Sequence, residues 1–195
     1  MPKWKKLSQV RKKVETNMET IYLAGYHGVG KTMVGKLIAS RKDIKYLDTN
    51  QIIEKNENKN VRDIIINKGI EYYTDLEKSI LKNNVEQGMI VSLPADLTID
   101  DECRRLIKTS GRVIYLRAKS DTILDHISND NTKKNDIDNI SVFTIEKDLE
   151  KLKPYYEDLA NYIIDVDNKK LNNVFMEALA IYNFANKVKC HIFIK

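Results

Sequence analysis

Short apolar runs alternate along this chain with longer amphipathic stretches. Ile21–Ala24, Lys45–Asp48, Met89–Leu93, Val113–Arg117 and Tyr162–Asp165 are brief, rich in β-branched or aromatic side chains and bounded by turn signals, as buried strands are. Between them, segments near 32–41, 49–56, 60–68, 70–87, 99–109, 120–128, 144–159 and 170–187 predict helices. Ile64, Ile65, Leu76, Ile80, Leu81 and Val85 supply apolar faces in two of these. Strand–helix alternation of this kind implies a parallel sheet with helices on both faces, an α/β three-layer sandwich on five parallel strands. Ser128–Asn139 is rich in Asn, Asp and Lys, offers no apolar face and reads as a mobile loop.

The junction between the first strand and the first helix carries the clearest chemistry. Gly25-Tyr26-His27-Gly28-Val29-Gly30-Lys31-Thr32 has the form Gly-x-x-x-x-Gly-Lys-Thr in the strand–loop–helix context that a phosphate loop requires. Glycines that tolerate positive φ turn successive backbone N–H groups inward into an anion nest, and the positive end of the following helix adds to it. Lys31 then reaches the β- and γ-phosphates of a nucleoside triphosphate, and the Thr32 hydroxyl ligates Mg²⁺. Three of the chain's seven glycines stand in this loop. ATP with Mg²⁺ is the expected ligand of a P-loop NTPase or kinase fold, held by Gly25, Gly28, Val29, Gly30, Lys31, Thr32 and Met33. His27 occupies a variable loop position, where side chains usually point outward.

Length and charge narrow the picture. A chain of 195 residues fits one domain, here expected over 20–187, with a leader at 1–19 and a tail at 188–195. No apolar run approaches the roughly 18 residues of a membrane span, and the charged N-terminus has no apolar stretch behind it, so a cytoplasmic monomer is expected. Cys103 and Cys190 lack metal-ligand spacing and read as reduced thiols. The net charge of +5 suggests a polyanionic partner until it is located. Residues 1–17 hold six basic side chains against one acidic, and the remainder carries 27 of each. The main domain is therefore not expected to bind nucleic acid. Trp4, Leu7, Val10 and Val14 fall at helical spacing in the leader. It reads as an amphipathic helix, as a solvated extension, or as sequence upstream of a start at Met18. The tail Val188–Lys195 is apolar enough to add an edge strand or close over the core.

On these motifs the chain resembles the shikimate kinases over roughly residues 20–183. The phosphate loop has that family's Gly-x-x-Gly-x-Gly-Lys-[Ser/Thr] form. Tyr46-Leu47-Asp48-Thr49-Asn50 looks like its strand ending in Asp-x-Asp. Lys153-Pro154-Tyr155-Tyr156-Glu157-Asp158-Leu159-Ala160 is similar to its Asn-Pro-Leu-Tyr-Glu-Glu-x-Ala segment, and Asp165-Val166-Asp167 follows a strand where the family wraps adenine. The resemblance implies ATP-dependent phosphoryl transfer to a small hydroxyl compound, with Asp48 helping to hold Mg²⁺ through water. It places His126 where the family packs an arginine on adenine, Asp167 beside the base, and a lid near 128–142 whose catalytic arginine falls at Lys133 or Lys134.

The acceptor half departs from the family pattern. Asn50 replaces the second aspartate; it can hydrogen-bond a hydroxyl but cannot take its proton. Tyr73-Thr74 stands for Phe-Arg, Pro94-Ala95-Asp96 for a Gly-Gly-Gly turn, and Leu152 for a second arginine that pairs with the substrate carboxylate. Two readings stay open. In one, the chain is a kinase for another small hydroxyl-bearing acceptor, with Asp96 as the replacement base and Asn50, Tyr72, Tyr73, Thr74 and Asp75 lining the pocket. Asp96 reads equally as a turn or cap residue after Pro94. In the other, the domain binds ATP without transferring phosphate and serves as a regulatory module. A nucleotide kinase fits less well, because arginines are missing from the lid.

Overall fold

The computed structural model describes residues 18–129 and 141–190, with the side chains of Thr98 and 188–190 left aside. The leader through residue 17, most of the expected lid with Lys133 and Lys134, and the end of the tail with His191 lie outside the described residues.

Each strand alternates its side chains between the two faces of the sheet. In β1 (Thr20–Ala24) Ile21 and Leu23 point to one layer and Tyr22 and Ala24 to the other. β4 (Gly111–Arg117) repeats the pattern, with Ile114 and Leu116 opposed to Val113 and Tyr115. Both sets are buried, so these strands must be covered on both sides. With β2 (Tyr46–Asp48), β3 (Ile90–Ser92) and β5 (Tyr162–Asp165) they form one parallel sheet in the order β2-β3-β1-β4-β5. Register is fixed by pairs such as Tyr22 with Val91 and Tyr22 with Val113.

On one face, α1 (Lys31–Lys42), α6 (Ser120–Asn129) and α8 (Leu171–Cys190) contribute Val34, Ile38, Ile123, Ile127, Val174 and Ala178. The other face is covered by α2 (Thr49–Glu57), α3 (Val61–Lys68), α4 (Ile70–Asn84), α5 (Asp101–Ser110) and most of α7 (Val142–Leu159). This is the expected three-layer sandwich.

Boundaries shift where a cap decides them. The helix expected from residue 99 starts at Asp101, because Leu97–Ile99 form a 3₁₀ turn and the Asp100 side chain accepts from Cys103 N–H at 2.9 Å. Ser128 and Asn129, placed in a loop by their composition, extend α6, where Asn129 bonds back to Asp125. The helix expected to reach residue 87 stops at Asn84.

Candidate active site

The strand order reverses beside β1, and the loops at the carboxyl ends of β1, β2 and β3 open into one crevice there, where open α/β sheets place ligands. The crevice is a cleft of about 640 Å³. The phosphate loop forms its floor, running from buried Ala24 to the first turn of α1. Gly25, Gly28 and Gly30 all have positive φ, at 139°, 83° and 94°. A Cβ on Gly25 would sit 2.5 Å from the Leu116 carbonyl oxygen, and one on Gly28 would sit 2.7 Å from Ile127. The loop therefore turns as it does only because these side chains are absent. Gly25→Ala is expected to cost about 3 kcal/mol through clash and backbone strain together. A chemical denaturation midpoint equal to the parent's would refute this.

The Lys31 ammonium sits across the loop mouth on the carbonyls of Gly25 (2.7 Å) and Tyr26 (2.9 Å). Beside it the Thr32 hydroxyl donates to Asp48 Oδ2 at 3.0 Å, and the Tyr46 hydroxyl donates to the same oxygen at 3.0 Å. The other Asp48 oxygen caps α2 through Gln51 N–H. One carboxylate thus ends β2, starts α2 and faces the phosphate loop. Burial, with Asp48 next in weight, pushes the Tyr46 hydroxyl pKa well up, so Tyr46 stays a proton donor to Asp48.

Toward β5 and α8 the cleft is lined by His126, Val166, Lys169, Leu171 and Val174. His126 meets the Gly28 carbonyl through Nδ1 at 3.0 Å, so α6 is tied to the phosphate loop. Asp167 is turned away from the cleft, accepting from Lys119 N–H at 2.9 Å. Val29 is buried under the loop, Met33 is exposed at the cleft and His27 lies beside Tyr26.

Toward β2 and β3 the lining passes through Asn50, Gln51, Glu54, Ser92, Leu93 and Pro94. Asn50 Oδ1 accepts from the Tyr73 hydroxyl at 2.8 Å. Tyr73 is therefore behind the cleft wall, buried and holding Asn50, rather than lining the cleft itself. Thr74 is turned onto its own helix, bonding the Ile70 carbonyl at 3.0 Å, and Leu152 is packed into the core. Tyr72 bonds Glu57 at 2.7 Å on the outer side of the helices, and Asp75 is exposed. Neither lines the cleft. Asp96 is exposed in the turn after β3, outside the residues that line the cleft. It holds the N-cap position of the 3₁₀ turn, where its carbonyl accepts from Ile99 N–H at 3.0 Å and its side chain makes no cap bond. Tyr156, buried in α7, pins that turn by donating to the Ala95 carbonyl at 2.9 Å.

One carboxylate went unread in the sequence. Glu77 is only 1% exposed, and its Oε1 has no hydrogen-bond partner among the described residues. Burial pushes its carboxyl up to about 8, against a hydrogen bond from Tyr73 that lowers it and with the charge of Asp96 adding to the rise. The available signal was spacing: Glu77 lies four residues after Tyr73 and three and four before Ile80 and Leu81, a charge on an apolar face. Its folded pKa lies above the unfolded 4.5, so the stability it allows is complete below that pH and is lost as pH rises toward about 8. Glu77→Gln is expected to raise the Tm by several degrees at pH 9 and to change it little at pH 5. Parallel melts at the two pH values check this, and an identical pH dependence in both proteins would contradict it.

The shikimate kinase family model matches residues 27–183. A shikimate kinase of Sulfurihydrogenibium sp. (strain YO3AOP1) is 31% identical over 169 residues, covering 83% of this chain and 96% of its own. The chain belongs to the shikimate kinase family. Two solved shikimate kinases share the fold at lower identity. That of Acinetobacter baumannii, in complex with shikimate, has a TM-score of 0.78 and 19% identity, covering 88% of this chain and 97% of its own. That of Bacteroides thetaiotaomicron has a TM-score of 0.77 and 20% identity, covering 86% and 97%. A shikimate-kinase-like phosphotransferase is thus the coarse function of the chain, and no described helix is long and apolar enough to cross a membrane.

Proposed function

We propose that this member of the family transfers the γ-phosphoryl group of ATP to a hydroxyl of a small molecule that lacks the carboxylate of shikimate. One observation carries the reading: the phosphate loop, Thr32 and Asp48 are intact and hydrogen-bonded to one another, while Thr74 is bonded to its own helix and Leu152 is buried in the core. A carboxylate brought to this end of the cleft would meet no described cation, and an unpaired buried charge costs several kcal/mol.

Thr32 Oγ1 and Asp48 Oδ2 form an oxygen pair at the carboxyl end of β2, suited to a hard cation that keeps most of its water. Among the described residues no cluster of three or more metal-ligating side chains exists, which also fits Mg²⁺ better than a cation needing a full protein cage. Bound there with ATP, Mg²⁺ would offset charge on the phosphates.

The chain's own residues divide the remaining work. The backbone N–H groups of Gly28 to Thr32 and the Lys31 ammonium hold the phosphates. His126, Lys169 and Leu171 border the part of the cleft left for the base, and the family's lid arginine corresponds in sequence to Lys133 or Lys134, outside the described residues. Asn50, with Oδ1 occupied by Tyr73, offers its amide N–H groups to an acceptor hydroxyl. The hydroxyl oxygen bonds to phosphorus as the bond to ADP breaks, and its proton passes to the Asp96 carboxylate. Residues 20–187 carry this activity, and the leader and tail are accessory to it.

The experiment is an ADP-release screen over polyols, cyclitols and sugar acids, shikimate included, with and without residues 1–17. Turnover is expected on a non-carboxylate member and at most a trace on shikimate. Shikimate turnover in the ordinary kinase range of about 1–100 s⁻¹ would refute the acceptor assignment. Asn50, which cannot serve as a base, favours a second reading, an ATP-binding regulatory domain. ATP binding without turnover on any acceptor would select it.

A further inference from the structure

One hydroxyl stands between two oxygen acceptors behind the cleft wall. Asn50 lines the cleft, and its Oδ1 accepts from the Tyr73 hydroxyl at 2.8 Å. Glu77 follows Tyr73 by four residues on α4, a spacing that sets the two side chains next to one another. Both are buried, and they share a hydrogen bond. Asn50, Tyr73 and Glu77 therefore form a chain of polar groups running from the cleft wall into the core.

A hydroxyl has a single hydrogen, so Tyr73 cannot donate to Asn50 and to Glu77 at once. While Tyr73 donates to Asn50, its bond with Glu77 requires a carboxyl that carries the proton and donates to the Tyr73 oxygen. An ionised Glu77 can only accept, and it takes the Tyr73 hydrogen for itself. The Asn50 carbonyl would then face lone pairs and lose its partner. Turning the amide over restores the bond, with an Asn50 N–H donating to Tyr73 and Oδ1 facing the cleft. Only the Glu77 proton leaves, to solvent; the hydroxyl and the amide merely rotate.

The surroundings of Glu77 favour its neutral form. Tyr73 faces it from its own helix, Asp96 from the turn after β3 and Cys103 from α5, and none of them is a cation. Glu54 of α2 acts on Tyr73 in turn. The nearby lysines are committed elsewhere, Lys78 to Asp100 at 2.7 Å and Lys68 of α3 to Glu57 at 2.6 Å. An unpartnered Oε1 is also cheaper to bury on a neutral acid than on an anion. Burial, with Glu77 next in weight, pushes the Tyr73 hydroxyl well up, so Tyr73 stays a donor.

We infer that Tyr73 and Glu77 are positioning residues that decide which end of the Asn50 amide meets the acceptor, the N–H groups when Glu77 is protonated and the carbonyl oxygen when it is ionised. With the N–H groups forward, the acceptor group placed there needs only lone pairs: a hydroxyl, ether or carbonyl oxygen, not an ammonium. That last step rests on the proposed place of the acceptor at Asn50, whereas the relay does not.

The test uses the full chain, labelled with ¹⁵N and ¹³C and followed by NMR from pH 6 to pH 10. The Asn50 side-chain amide signals are expected to shift with the same midpoint as the Glu77 carboxyl, near pH 8. Tyr73→Phe should leave Glu77 titrating and uncouple Asn50 from it. Glu77→Gln should remove the transition, because its amide donates to Tyr73 at every pH. If Glu77→Gln does not fold, Tyr73→Phe decides. Asn50 signals that stay still while Glu77 titrates, or that follow it equally in Tyr73→Phe, overturn the relay. The acceptor step is read by calorimetry with Mg²⁺, a non-hydrolysable ATP analogue and two probes, cyclohexane-1,2-diol and 2-methoxycyclohexanol. The ether, which cannot donate beside its reacting hydroxyl, should weaken about tenfold relative to the diol as pH rises past 8. A turning amide with an unchanged ether-to-diol ratio leaves the relay standing and removes the acceptor from Asn50. Turnover on the diol with an amide that never turns does the reverse.

Discussion

Replacing Lys31 by alanine is expected to lower ATP affinity about 100-fold, equivalent to about 2.7 kcal/mol, and to remove measurable phosphoryl transfer. The Lys31 ammonium spans the loop mouth on two carbonyls of its own loop, so the fold holds it at the place where phosphates enter the nest. The backbone N–H groups remain in the variant, but they carry partial charges only, and the full positive charge is lost. Calorimetric titration of ATP with Mg²⁺ measures the loss. Affinity equal to the parent's would remove the nucleotide assignment altogether. Thermal stability should move little, because the part-buried hydrogen bonds to the Gly25 and Tyr26 carbonyls contribute little net stability.

The second large effect is expected at Asp96. Asp96→Asn should lower turnover on the identified acceptor by about 10²- to 10⁴-fold, the ordinary contribution of a positioned base, while ATP affinity stays within about twofold. Asparagine keeps the shape and cannot take the proton. The side chain makes no capping bond and is exposed, so the change should cost less than about 0.5 kcal/mol of stability. Turnover left intact would mean that the proton goes elsewhere. The same measurement on Tyr156→Phe separates position from chemistry. That variant loses the bond to the Ala95 carbonyl and should slow turnover far less than the loss of the carboxylate.

The layered fold was legible because its signals are local. Residues 21–24 already show two buried faces, and a strand buried twice needs helices on both sides. The phosphate loop was legible for a related reason. Its chemistry lies in backbone geometry that glycines at fixed spacing impose, and Lys31 and Thr32 follow in the next turn. Asp48 could be placed from its position at a strand end, although its triple engagement with Thr32, Tyr46 and Gln51 needed three segments brought together.

The acceptor side was less legible. Tyr73 and Thr74 are neighbours in sequence, yet a helix turns adjacent residues about 100° apart, so one supports Asn50 from behind and the other bonds its own backbone. Asp167 was expected beside adenine and instead fastens the turn after β4. Glu77 was overlooked because a charged residue on a helix ordinarily faces solvent, and only the packing of α4 against α2, α3 and α5 makes its burial possible.

The sequence by itself thus determined the parallel three-layer sandwich, the nucleotide loop with Lys31, Thr32 and Asp48 beside it, and the family. All three rest on short-range periodicity or on spacing within a few residues. Only the tertiary structure decided that Tyr73 stands behind the cleft wall holding Asn50, and that Glu77 is buried outside the cleft's lining. Charge at a site is summed over side chains far apart in the chain, and no local pattern records which of them the fold will bring together.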